Sequence, residues 1–248
     1  MQKPFIVDCL QEGLAQEFCC HYSVKTMQRE LIAFFDVDHT ISRRATALAF
    51  IRVCIRRGYI RWWYLLGVPF VYIMYRLSSV KMSELFRLSL PKLRGITRAE
   101  FEDAAHEAFT RYLENDLYIG AVREIADLKA RGVRVIFATS TPFEAVYPLA
   151  QWCGVSANDI IATQFAYSDG VFDGRLVGTP VYSGNKCGII RDFAAKSGTD
   201  LHLCSFYSDS VHDVPLLELV GNPVAANPDF RLRRIARKRG WKIKDFSK

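Results

Sequence analysis

The clearest hydrophobic pattern in the chain is Leu31–Phe35, five apolar residues with no helical period that stop abruptly at Asp36. Such a run predicts a strand buried on both faces, as in a parallel sheet. Val133–Ala138 repeats the pattern after a helical segment, Ala121–Ala130, and Gly132. A helix is predicted around Glu144–Cys153, closed by Gly154. Strand and helix in alternation build a parallel sheet. Ile160–Tyr167 and Val171–Val177 read as strands flanking Asp169-Gly170, a strong hairpin signal, and a second Asp-Gly follows at Asp173-Gly174. Cys187–Lys196 reads as a helix, Leu201–Tyr207 as a strand and Val211–Val220 as a short helix ending at Gly221. Pro223–Ala226 is the predicted final strand, and Phe230–Gly240 a basic helix.

Between about residue 45 and residue 115 the pattern is helical, with no good strand. The expected organisation is therefore an N-terminal extension (1–30), an α/β core (31–44 and 116–248) and a helical cap (45–115). Open α/β sheets bind ligands at the carboxyl edge of their strands, and the cap is expected over that edge. Within it, residues 62–75 are continuously apolar or aromatic, flanked by Arg52, Arg56, Arg57, Arg61, Arg76 and Lys81. The run is shorter than the ~20 residues that span a bilayer, and Pro69 interrupts it. The expectation is a helical hairpin with its aromatics packed inside the cap. The alternative is an interfacial segment resting on anionic lipid.

Composition changes this picture little. Half of the 248 residues are hydrophobic, enough for a sizeable core, and the net charge is +7. That balance suits anionic substrates or an anionic membrane surface, and is also common in ordinary soluble proteins. The seven cysteines form no Cys-x-x-Cys pair and are odd in number. Free thiols in a reducing, cytoplasmic compartment are expected, rather than a disulfide framework or a zinc site. No basic, apolar and small-residue leader opens the chain, so no secretory signal is expected. Nucleic acid is not an expected partner.

The chemistry lies at the strand ends. Carboxylates closing a buried strand are costly unless they meet a cation or strong donors. Asp36 and Asp38 follow the first strand, Thr139-Ser140-Thr141 the second, and Ser208-Asp209-Ser210 a later one, with Asp213 four residues beyond Asp209. Strand ends of a parallel sheet converge on one edge, and Lys186, placed just before a helix, is expected to reach it. Asp36 alone would pass for a helix cap and Thr139 to Thr141 for turn chemistry. Together they describe phosphoryl transfer: carboxylates for a hard divalent cation, a hydroxyl and an ammonium for phosphoryl oxygens, one acid to attack and one to move a proton.

Phe35-Asp36-Val37-Asp38-His39-Thr40, Ala138-Thr139-Ser140-Thr141-Pro142, Gly184-Asn185-Lys186 and Ser208-Asp209-Ser210-Val211-His212-Asp213 match, in order and spacing, the motifs of the haloacid dehalogenase (HAD) superfamily. The chain resembles its phosphoserine-phosphatase-like subgroup over about residues 31–246. The resemblance implies a Rossmann-like parallel-sheet core with the helical cap inserted between the first and second motifs, and Mg²⁺ as cofactor. It implies a phosphatase that hydrolyses a small organic phosphate monoester through an aspartyl-phosphate. It makes Asp36 nucleophile and metal ligand, and Asp38 general acid/base with its backbone carbonyl on the metal. Thr139, or failing it Ser140, becomes the phosphate hydroxyl, and Lys186 bridges phosphate and nucleophile. Asp209 ligates Mg²⁺, and Asp213 supports it directly or through water.

The subgroup's phosphoserine phosphatases carry a glutamate for the substrate amine soon after the first motif. Ala45 stands at that position, and no acid occurs between Asp38 and Glu84, which disfavours phosphoserine. Arg87 sits near where those enzymes carry an arginine for the substrate carboxylate, a weaker correspondence. The aromatic, Arg-flanked segment keeps a lipid phosphate, such as a phosphatidylglycerophosphate, as the alternative substrate.

Overall fold

The computed structural model describes residues 32–61 and 90–247. Six strands form one parallel sheet in the order β3-β2-β1-β6-β7-β8. They are β1 (Ile32–Phe35), β2 (Arg134–Pro142), β3 (Ile160–Thr163), β6 (Ser205–Ser208), β7 (Asn222–Ala226) and β8 (Lys242–Lys244). The hairpin β4 (Phe165–Ser168) and β5 (Val171–Leu176) forms a separate antiparallel pair. The chain builds outward from β1 to β2 and β3, then crosses to the other side of β1 to lay down β6. The reversal makes the carboxyl ends of β1 and β6 a topological switch point, the place where ligands of open α/β sheets bind.

Period-2 alternation divides the sheet residues between two cores. Ala33, Phe35, Val135, Phe137 and Tyr207 face one cluster, with helices α1 (Thr46–Arg56), α2 (Arg98–Ala108), α3 (Ile119–Ala130) and α4 (Phe143–Trp152). Ile32, Phe34, Ile136, Ala138 and Phe206 face the other, with α5 (Ser183–Ser197), α6 (Val214–Leu217) and α7 (Phe230–Arg239). The result is a three-layer α/β/α arrangement with the switch point at its rim.

The described ends of the predicted cap rest on this core. Phe50 and Val53 of α1 and Phe101, Ala104 and Ala105 of α2 share the first cluster with Val146 and Leu149 of α4. A Thr97–Glu100 capping box starts α2. Glu107 of α2 ties the two helices together through Arg57 at 2.8 Å, and it also pairs with Arg56. The apolar segment 62–75 and Arg87 lie outside the described residues. No described helix is long and apolar enough to cross a membrane.

Several elements differ from the sequence pattern. The long strand expected over Ile160–Tyr167 divides at Gln164, with β3 joining the sheet and β4 the hairpin. Asp169 (φ 51°) and Gly170 (φ 78°) make the hairpin turn, as the left-handed geometry of that turn requires. The second Asp-Gly is not a turn. Gly174 sits inside β5 at φ 84°, and a Cβ there would meet the Pro91 backbone at 3.1 Å. Pro223–Ala226 is not the last strand, because β8 follows α7 and pairs with β7 through Val224–Lys242. Lys186 lies within the first turn of α5, not ahead of it. Cys54, Cys153, Cys187 and Cys204, the described cysteines, are free thiols.

Candidate active site

The end of β1 delivers the first group. The Asp36 N–H donates to the Tyr207 carbonyl at 2.9 Å, which extends the β1–β6 ladder one residue past the strand. The chain then turns sharply, with the N–H groups of Thr40, Ile41 and Ser42 all directed at the Val37 carbonyl. His39 takes a left-handed conformation at the apex (φ 60°). Asn227, also left-handed at φ 47°, donates its side-chain amide to the carbonyls of His39 and Thr40, each at 3.3 Å. The end of β7 thereby holds the loop that follows β1.

Lys186 joins three elements. Its ammonium donates to Asp36 Oδ1 at 2.9 Å and to Asp213 Oδ2 at 3.1 Å, and the lysine is 3% exposed. Burial opposes its charge, but Asp36 and Asp213 outweigh burial and hold the ammonium above the ordinary lysine value. Ser208 donates to the same Asp213 oxygen at 2.8 Å. Asp209 is tied to the first loop, since its N–H donates to Thr40 Oγ1 at 3.1 Å.

The acids outnumber the cation. Burial pushes the Asp36 carboxyl up to about 7; Lys186 opposes that rise and Asp213 adds to it. Burial, then repulsion from Asp36, pushes Asp209 up to about 8. Among the described residues, the buried Asp213 Oδ1 has no hydrogen-bond partner. A buried acceptor left unmade is costly, so this edge is built for a further positive group. Among the described residues, no three acidic, histidine or cysteine side chains form a complete metal cage by themselves.

Asp38 has separate surroundings. Its Oδ1 accepts from the Thr46 backbone N–H at 2.8 Å and from Thr46 Oγ1 at 2.5 Å, and its Oδ2 from Thr141 Oγ1 at 2.9 Å. The side chain is therefore held by the start of α1 and the end of β2. Thr139 is 1% exposed, and its Oγ1 accepts the Thr141 N–H at 3.1 Å. Ser140, between them, is exposed on the opposite face of the strand.

Asp36, Lys186 and Asp213 thus meet directly, and Asp209 approaches through Thr40. Thr40, Thr46, Thr141 and Ser208 hold these groups, although no role for any of them is read from the sequence. Thr40 and Thr141 stood inside motifs, and strand alternation separates Thr139 and Thr141 from Ser140. For Thr46 the sequence carried no signal, because its contact depends on how α1 docks.

The family model for haloacid dehalogenase-like hydrolases matches residues 33–218. This chain belongs to that family. The hydrolase is 34% identical over 219 residues to phosphoserine phosphatase SerB1 of Mycobacterium tuberculosis, covering 86% of this chain and 70% of that one. It is 26% identical to a histidinol-phosphatase of Neisseria meningitidis, covering 87% and 98%. A crystal structure of a protein of unknown function from Bordetella pertussis Tohama I superposes with a TM-score of 0.77 at 29% identity, over 88% of this hydrolase and 99% of that chain. The matched span runs from β1 through α6 and contains every acid described above.

Proposed function

We propose that this hydrolase is a Mg²⁺-dependent phosphomonoesterase acting on a small organic phosphate, with Asp36 as nucleophile. The observation that carries the reading is the buried Lys186, which bridges Asp36 and Asp213 at the sheet edge where the strand order reverses. A lysine so placed neutralises charge on a phosphoryl group and aligns the attacking carboxylate.

The donor set fits Mg²⁺. The ion takes oxygen ligands and keeps waters and substrate oxygens beside one or two carboxylates, so an incomplete protein cage is expected. Asp36 and Asp209, whose acidity is suppressed by burial and by neighbouring carboxylates, and the Asp38 carbonyl are the proposed ligands, with Asp213 and its Oδ1, unpartnered among the described residues, in support. When bound, the ion supplies positive charge to the phosphoryl oxygens.

In the proposed reaction an Asp36 carboxylate oxygen forms a bond to phosphorus while the bond to the ester oxygen breaks. The leaving oxygen takes the proton of Asp38. Water then gives a proton back to Asp38 as its oxygen attacks phosphorus, and the Asp36 acyl-phosphate bond breaks to release phosphate. Thr139, buried at the end of β2, is the proposed phosphate hydroxyl, in preference to the exposed Ser140.

For the substrate, no acid is present among residues 39–61 to meet an ammonium group, and Arg44 is committed to Asp116 at 2.5 Å. This favours an organic phosphate recognised without a cationic handle. Phosphoserine and histidinol phosphate, the substrates in the relatives' names, belong in the test panel. The experiment is phosphate release from a panel of monoesters with Mg²⁺ and with EDTA, for wild type and Asp36→Asn. Release that needs Mg²⁺ and falls by at least about a thousandfold in the variant is expected. Release unaffected by the substitution would rule out Asp36 as nucleophile.

A further inference from the structure

The structure assigns Thr46 and Thr141 as positioning residues for the proton-transferring carboxyl of Asp38. The inference rests on the phosphatase reading and adds which oxygen moves the proton and what aims it.

Asp38 Oδ1 is saturated. It accepts from both the backbone N–H and the hydroxyl of Thr46, at 2.8 and 2.5 Å. A carboxylate oxygen has two lone-pair sites, so Oδ1 has none left. Among the described residues, Oδ2 accepts only from Thr141, at 2.9 Å. That leaves it a second lone pair, so Oδ2 is the oxygen that carries the proton to the leaving group and takes it back from water. The two hydroxyls also lie 3.1 Å apart, and with each giving its single proton to Asp38 they hold the carboxyl by both of its oxygens. Both threonines are buried, Thr46 at 0% and Thr141 at 2% exposure.

The two supports come from different parts of the chain. Thr141 lies at the end of β2, where its own N–H donates to Thr139 at 3.1 Å. That places the support of the acid and the proposed phosphate hydroxyl on one stretch of strand. Thr46 is the first residue of α1, the helix that leads toward residues 62–89. Its N–H has no acceptor within the helix, and Asp38 satisfies it. Neither threonine touches the Lys186 cluster.

A misaimed acid hinders departure of a poor leaving group and hardly affects a good one, so the dependence on leaving group is the decisive readout. The experiment measures kcat/KM for aryl phosphates of graded leaving-group acidity, from p-nitrophenyl to phenyl phosphate, with Mg²⁺. The enzymes are wild type, Thr46→Val, Thr141→Val and Thr46→Ser, each checked by circular dichroism and thermal melting. Both valine variants are expected to lose on the order of tenfold or more with phenyl phosphate and about threefold or less with p-nitrophenyl phosphate, since acid–base catalysis contributes roughly 10²–10⁴-fold in full. Thr46→Ser, which keeps the hydroxyl, is expected to restore the wild-type slope. If Thr46→Val does not fold, Thr141→Val alone decides, because it reaches the other oxygen from the other element. A loss equal across the series, or no loss, would overturn the assignment. Wild type inactive on every aryl phosphate and on the whole monoester panel would instead refute the phosphatase reading itself.

Discussion

At the scale of single residues, the site is organised by what each acid is paired with. Asp36 and Asp213 share one ammonium, whereas among the described residues Asp38 has only hydroxyls and an amide. The three carboxylates therefore have different chemistry although they stand near one edge. Lys186 is the most consequential pairing, because removing one partner of a buried ion pair strands the other. Lys186→Met is expected to abolish phosphate release. It is also expected to destabilise the metal-free protein by about 3 kcal/mol in urea unfolding, the usual cost of an uncompensated buried charge. Unchanged stability would mean that Lys186 is not buried between the acids. The Asp36 half of this pairing followed from the family resemblance, which puts Lys186 against the nucleophile; the lysine's contact with Asp213 did not, because that acid was expected beside Mg²⁺. The threonine supports of Asp38 were not legible in the sequence, because a buried hydroxyl and a surface one look alike until the helix that carries it is docked.

At the scale of elements, the strands were read from apolar runs and the hairpin from Asp169-Gly170. The errors came from residues whose role depends on contacts distant in sequence. Gly174 looked like a turn residue and instead admits the Pro91 backbone. Ile160–Tyr167 looked continuous because both β3 and β4 are apolar. Strand β8, only three residues with two lysines, carried no hydrophobic signal. What anchors β8 is partly electrostatic: Lys244 pairs with Glu124 of α3, and the Tyr207 hydroxyl donates to Glu124 at 2.7 Å. Burial pushes the Glu124 carboxyl up, but the hydrogen bonds from Lys244 and Tyr207 outweigh it and leave the group below its ordinary 4.5. A carboxyl with a lowered folded value stabilises above its unfolded value, and the benefit disappears as pH falls through the folded one. Glu124→Gln is therefore expected to lower the melting temperature by a few degrees at neutral pH, about 1 kcal/mol or less for a partly exposed pair, and to converge on wild type as pH falls through the lowered folded value. A difference that persists in acid would point to lost packing instead.

At the scale of the whole molecule, the fold collects acids at one rim and leaves them short of positive charge. Asp36 and Asp209, raised to about 7 and 8 from an ordinary 3.8, hold protons in the folded state that the unfolded chain has released. For a raised carboxyl the sign is the reverse of that for Glu124. Stability of the metal-free protein is expected to fall as pH rises from about 4 toward 8. Mg²⁺ competes with those protons, so the rise in melting temperature on adding Mg²⁺ should grow between pH 6 and pH 8. A rise independent of pH would argue that Mg²⁺ binds elsewhere. The architecture around this rim, a parallel sheet with helices on its faces, was legible from the alternation of strand and helix patterns. The docking of α1 and α2 onto the same core as α4 was not, because an insertion's amphipathic face does not say which layer it will cover.

The central claim is that Asp36 attacks phosphorus. It is tested most directly by quenching wild type in acid during the first turnover of p-nitrophenyl phosphate with Mg²⁺ and mapping phosphate by peptide mass spectrometry. Phosphate is expected on the peptide that contains Asp36, at Asp36 itself, labile to hydroxylamine as an acyl-phosphate is, and absent from Asp36→Asn. Phosphate on any other residue, or rapid release from wild type with no labelled peptide at any quench time, would contradict the account.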